Sequence, residues 1–142
     1  MRLVLDTNIA VSALLWGGNP QRILDLADDR RVKLYTSRPL IDELARVLGR
    51  PKFSPKLRHH RKTSLQLAAR YALATRFVAL GSSPRAVPAD PDDDAVIATA
   101  VAAAADLIVT GDADLLALHT YQGIQILNAA DAVRALIETL RQ

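Results

Sequence analysis

The sequence predicts an α/β protein: a three-layer α/β/α sandwich around a central, mainly parallel sheet of about five strands. Three observations predict it. Short apolar runs rich in β-branched residues recur at 2–5, 32–36, 77–80, 107–109 and 124–127. Stretches with helical spacing of apolar residues separate most of them, and such alternation favours a parallel sheet covered on both faces. No internal repeat, low-complexity tract or interdomain linker interrupts the pattern, and 142 residues suit one domain spanning 1–142.

The elements follow in order. Arg2-Leu3-Val4-Leu5 reads as a strand ended by Asp6-Thr7-Asn8, and a helix is expected over Ile9 to Leu15. Trp16-Gly17-Gly18-Asn19-Pro20 breaks the chain before a second helix, Gln21 to Asp28. Val32 to Thr36 is the second strand. Ser37 can cap the next helix, with Pro39 in its first turn, and Gly49 and Pro51 stop it. Residues 52–76 read as mostly helical, with an apolar stripe of Leu65, Leu67, Ala68, Tyr71 and Ala72. Phe77-Val78-Ala79-Leu80 is a third strand, followed by a loop at 81–91. Pro91 and Asp92-Asp93-Asp94 suit a helix start, where the helix dipole favours negative charge. Val96, Ile97, Ala100, Val101 and Ala104 continue that helix into the strand Leu107-Ile108-Val109, which Thr110-Gly111-Asp112 ends. Leu115 to Leu118 suggest a helical turn. Ile124 to Leu127 form the last strand, and Asn128 caps a final helix to about Leu140.

Composition narrows the functions available. There are no cysteines, which excludes disulfides, thiolate metal sites and cysteine nucleophiles. With no signal-peptide pattern and no apolar run of membrane-spanning length, a cytoplasmic location away from membranes is expected. The net charge of +3 conceals an asymmetry: residues 44–89 hold ten Lys or Arg and no acid, and the rest hold eight bases and fifteen acids. A cationic block of this kind suits a polyanion or a solvated helix surface in equal measure.

The acids carry the chemistry. In a parallel sheet, Asp6 and Asp112 end strands at the carboxyl edge, and the helix holding Asp94 begins there. Taken singly, Asp6 and Asp94 suit helix starts and Asp112 suits a turn. Those separate roles do not explain three acidic sites at one rim. Glu43, about a turn and a half into its helix, stays near the same edge, and Asp42 projects about 100° away from it. Four carboxylates a few ångströms apart repel, and a divalent cation removes that cost. Oxygen donors without Cys or a positioned His point to Mg²⁺ or Mn²⁺, one ion or two. Beside a cationic block, such a site suggests hydrolysis of nucleic-acid phosphodiesters.

These residues resemble a known family. Asp6-Thr7-Asn8 after an apolar strand, Asp94-Ala95-Val96-Ile97-Ala98 at a helix start, and Val109-Thr110-Gly111-Asp112 eighteen positions beyond Asp94 resemble the motifs of PIN-domain ribonucleases of the VapC-like toxin type. Glu43 falls where that family's second acid is expected. Leu48-Gly49-Arg50-Pro51-Lys52-Phe53 is similar to a subgroup described as toxin components of type II toxin–antitoxin pairs. The resemblance implies a metal-dependent endoribonuclease acting on RNA, a homodimer, and a cognate antitoxin protein. It implies that Asp6, Glu43, Asp94 and Asp112 are catalytic and hold Mg²⁺ (or Mn²⁺), with Thr7, Asn8 and Thr110 in support. Asp93 can share or replace Asp94 in the run Asp92-Asp93-Asp94, and Asp114 stands close to Asp112 in sequence. Arg46, Arg50, Lys52, Lys56, Arg58, Arg61 and Lys62 are the candidate RNA contacts within the cationic block.

The remaining aromatic and imidazole residues read differently. Adjacent His59 and His60 make a poor metal site and suit a surface or phosphate contact. Trp16 suits a core or an interface position equally. Tyr35, Tyr71 and Phe77 read as core, so base stacking is expected to contribute little. A phosphoacceptor signalling domain would need two acids after the first strand and a Lys after the last. A haloacid-dehalogenase-type phosphatase would need two acids in the Asp6-Thr7-Asn8 turn. Neither pattern is present, nor is a Gly-rich phosphate loop. The alternatives that stay open are a non-catalytic RNA- or partner-binding module on a PIN-like fold, and a structure-specific DNA nuclease.

Overall fold

A computed structural model describes residues 1–80 and 91–142, with the side chains of 91–94 outside the described set. Six strands form one sheet: β1 (Arg2–Leu5), β2 (Lys33–Thr36), β3 (Arg76–Phe77), β4 (Leu107–Val109), β5 (Thr120–Tyr121) and β6 (Ile124–Leu127). Their spatial order is β3-β2-β1-β4-β6-β5. All neighbouring pairs are parallel except β5–β6. The helices are α1 (Thr7–Leu15), α2 (Gly18–Leu26), α3 (Arg38–Leu48), α4 (Ser54–His60), α5 (Ser64–Leu73), α6 (Pro91–Ala102), α7 (Ala113–Leu118) and α8 (Ala129–Leu140).

The sheet is buried on both faces because its strands are apolar at every position and side chains alternate between faces. Leu3, Leu5, Leu34, Leu107 and Val109 join one core with Ile9, Ile23, Leu44, Leu48 and Leu136 from the helices. Val4, Tyr35, Ile108 and Ile126 point the other way, to Val96, Ile97 and Leu115 of α6 and α7. Tyr71 is buried in the first core, which pushes its hydroxyl pKa up and keeps it protonated.

Several sequence expectations need correction. The sheet has six strands rather than five, because Thr120–Tyr121 closes a hairpin on β6. The third strand lies at Arg76–Phe77, not Phe77 to Leu80. The second helix starts at Gly18 and ends at Leu26, earlier at both ends than expected. The basic stretch is a 3-10 turn (Pro51–Phe53) and two helices, broken where Arg61 adopts a left-handed φ of 56°. Leu65 is 70% exposed and Phe77 52% exposed, so neither belongs to the core: Leu65 faces away from the buried Leu67, Ala68 and Tyr71, and Phe77 lies on the sheet's edge strand.

Candidate functional site at the carboxyl edge of the sheet

The β1–β4 pairing sets Leu5 beside Val109, so the residues just after them meet at the carboxyl edge. Asp6 is one and Thr110 the other. Asp6 is buried and acts as the N-cap of α1: its Oδ1 accepts a 2.8 Å hydrogen bond from the Thr7 nitrogen. Its backbone nitrogen continues the ladder to Val109 O at 2.9 Å. Its second oxygen, Oδ2, accepts a 2.7 Å bond from Thr110 Oγ1. The Thr110 hydroxyl in turn accepts from the Asp112 nitrogen at 3.0 Å. Asp112, half-buried, caps α7 by accepting from the Leu115 nitrogen at 2.9 Å. Both helix-cap roles therefore hold, and they aim the two carboxylates from adjacent strand ends. Helix N-termini favour the charged form of both.

The other expected residues are distributed around this pair. Thr7 is buried, and its hydroxyl oxygen lacks a hydrogen-bond partner. Asn8 and Asp114 are exposed near the same edge, Asn8 in the first turn of α1 and Asp114 in that of α7. Glu43 is half-buried on α3, whose neighbours include α1 and α6. Asp42 is exposed and pairs instead with Arg38 at 3.1 Å. Asp94 lies in the first turns of α6; its side chain, with those of Asp92 and Asp93, is outside the described residues. Five residues on from Asp94, Thr99 shares a buried 2.7 Å hydrogen bond with Ser37. Ser37 sits at the carboxyl end of β2, so this bond pins α6 to the sheet. Ser37 was expected to cap α3 through its side chain; it holds the cap position without a side-chain cap bond, its hydroxyl being engaged with Thr99. That pin went unseen in the sequence, where its one trace is a Thr within an Ala-rich helix.

The cationic candidates lie on α3, the 3-10 turn and α4. Arg46, Arg50, Lys52, Arg58, Arg61 and Lys62 are exposed and Lys56 half-buried. His60 bonds the Leu15 carbonyl at 3.0 Å, docking α4 onto the end of α1. A groove of about 490 Å³, whose lining includes Leu24, Asp25, His60, Lys62, Arg70 and Tyr71, contains neither Asp6 nor Asp112. Among the described residues no cluster of three or more metal-ligating side chains occurs. The described half of the site therefore consists of two aspartates joined through Thr110.

Fold and site together define a PIN-like α/β domain with acids at its strand ends. A PIN-domain family model matches residues 2–114, and the chain belongs to the PIN-domain family. PIN domains are generally nucleases. An uncharacterized protein of Methanocaldococcus jannaschii, MJ1680, is 33% identical over 123 residues, which is 84% of this chain and 76% of that protein. A chain in the crystal structure of VapBC2 from Rickettsia felis bound to a DNA fragment from their promoter superposes with a TM-score of 0.61. That match covers 90% of this chain and 98% of the other at 15% identity, which speaks to the fold alone.

Proposed function

We propose that the protein is a metal-dependent endoribonuclease that hydrolyses RNA phosphodiesters, and that it is the toxin of a toxin–antitoxin pair. The observation that carries the reading is the Asp6–Thr110–Asp112 chain, which holds two carboxylates at one edge of the sheet. Its donors suit a hard divalent ion. Both aspartates offer oxygens with lone pairs left over, and the orphaned Thr7 hydroxyl beside them is a further oxygen of the kind that normally finds a partner.

Asp6, Glu43, Asp94 and Asp112 are the residues that would hold Mg²⁺ or Mn²⁺, with Asp93 as a substitute for Asp94. When bound, the ion would supply an activated water and relieve charge on the scissile phosphate. The chain's own part is orientation. Thr110 fixes one rotamer of Asp6, the Leu115 nitrogen fixes Asp112, and Ser37–Thr99 holds α6 in register with the sheet. The exposed bases of α3 and α4 would neutralise backbone phosphates and bring the strand to the edge.

A toxin role implies an antitoxin partner, a homodimer and a cytoplasmic setting. The family membership and the VapBC2 fold likeness support that reading without naming the RNA. The deciding experiment incubates the purified protein and Asp6→Asn with a mixed RNA pool and with single- and double-stranded DNA, each with EDTA, Mg²⁺ or Mn²⁺. Metal-dependent RNA cleavage by the wild type alone is expected. Cleavage of DNA only would make it a DNA nuclease, and RNA binding without cleavage by either form would make it a binding module.

A further inference from the structure

Trp16, the only tryptophan of the chain, stands at the end of α1 and is 54% exposed. An indole is costly to leave in water, and this one is neither in the core nor covered by another element. Its surroundings are cationic. Phe53 meets it edge-on, with ring centroids 5.6 Å apart. Lys56 Nζ lies 5.6 Å from the centre of the Trp16 ring, and Lys52 Nζ 5.0 Å from that of Phe53. Both lysines belong to the block between residues 44 and 89 that carries no acid. Even with these contacts made, more than half of the indole's surface stays open.

We propose that Trp16 is a stacking platform for a base of single-stranded RNA, with Lys52 and Lys56 holding the phosphates on either side. Exposed aromatic rings within a cationic groove are how proteins hold single strands without reading their sequence. Charge decides against an apolar protein partner, which would have to bury two ammonium groups beside the ring without acids from this face. The helix from Asp6 to Trp16 is about 15 Å long. The base on Trp16 is therefore several nucleotides from the bond cut at the acidic edge. The inference rests on the RNA-nuclease reading above, and it revises the expectation that stacking contributes little.

Because Trp16 is the sole indole, its fluorescence reports directly on the contact. The test titrates the full chain with a fluorescein-free single-stranded RNA oligonucleotide in EDTA, following tryptophan quenching, and measures affinity separately by filter binding across a salt series. The expected results are quenching on binding, and a loss of affinity of about one to two orders of magnitude for Trp16→Ala with an unchanged salt slope. Trp16→Phe should recover most of that loss. Lys52→Ala/Lys56→Ala should flatten the salt slope by about one unit. Wild-type affinity in Trp16→Ala, or RNA binding that leaves the indole unquenched, would overturn the proposal while the nuclease reading stands. Failure of the wild type to bind any RNA would overturn both. If Trp16→Ala instead changes only the oligomeric state, the ring is a protein contact and the proposal fails. Should Trp16→Ala not fold, the quenching result and Trp16→Phe decide.

Discussion

Thr110 donates a 2.7 Å hydrogen bond to Asp6 across 104 positions of sequence, and both residues are buried where β1 and β4 end. One hydroxyl thus fixes the rotamer of a carboxylate on the neighbouring strand, and through its second contact the start of the Asp112 turn. Thr110→Val keeps the shape and removes the hydroxyl. It should cost about 1.5–3 kcal/mol, because a charged acceptor loses its donor. Urea unfolding measures that loss, and cleavage under saturating Mg²⁺ should fall as well.

Asp112 has two roles that can be separated. Asparagine caps helices as well as aspartate does, and alanine does not. Asp112→Asn should therefore keep stability within a few tenths of a kcal/mol while abolishing cleavage, and Asp112→Ala should lose about 1 kcal/mol in addition. Parallel melts and RNA cleavage assays distinguish the two. Equal stability losses in both variants would contradict the capping assignment.

Glu43 and Asp42 are adjacent acids with opposite expectations. Asp42 faces water and pairs with Arg38 one turn away. Its replacement by alanine should change stability by less than about 0.5 kcal/mol and leave cleavage intact. Glu43→Gln should lower cleavage by at least an order of magnitude with the fold retained. Rates from single-turnover assays of the two variants make the comparison.

Thr99 tests whether α6 must be held to the sheet. Its hydroxyl bonds both Ser37 Oγ and the Ala95 carbonyl. Thr99→Val strands the buried Ser37 hydroxyl, at a cost of about 1–3 kcal/mol. Because the helix start carrying Asp94 shifts with it, Mg²⁺ affinity should weaken. Calorimetric titration of Mg²⁺ into wild type and variant would reveal an unchanged affinity if α6 were positioned independently of this bond.

Much of the architecture could be read from the sequence because strands β1, β4 and β6 are unbroken apolar runs whose ends coincide with Asp6, Thr110 and Asn128. The Asp6–Asp112 meeting follows from parallel topology alone. Features that depend on exposure could not be read in the same way. Leu65 and Phe77 have the composition of core residues, and only an edge position or a helix's outward face tells them apart. The β5–β6 hairpin was hidden because its turn, Gln122-Gly123, lacks the usual Asn-Gly or Asp-Gly signal; both residues nevertheless take positive φ, 50° and 82°. Ser37 was legible as a cap position, but its distant partner Thr99 was not. The side chains of Asp92, Asp93 and Asp94 lie outside the described residues, so the choice among them rests on the family resemblance.

The sheet is bordered by two-residue strands on both sides, β3 and β5. Borders this brief present few unpaired amides and carbonyls, which guards the chain against edge-to-edge aggregation. They also leave a visiting peptide little backbone to zip onto. An inhibitor designed against this protein would accordingly gain more from a rigid helical scaffold than from an extended β-mimetic.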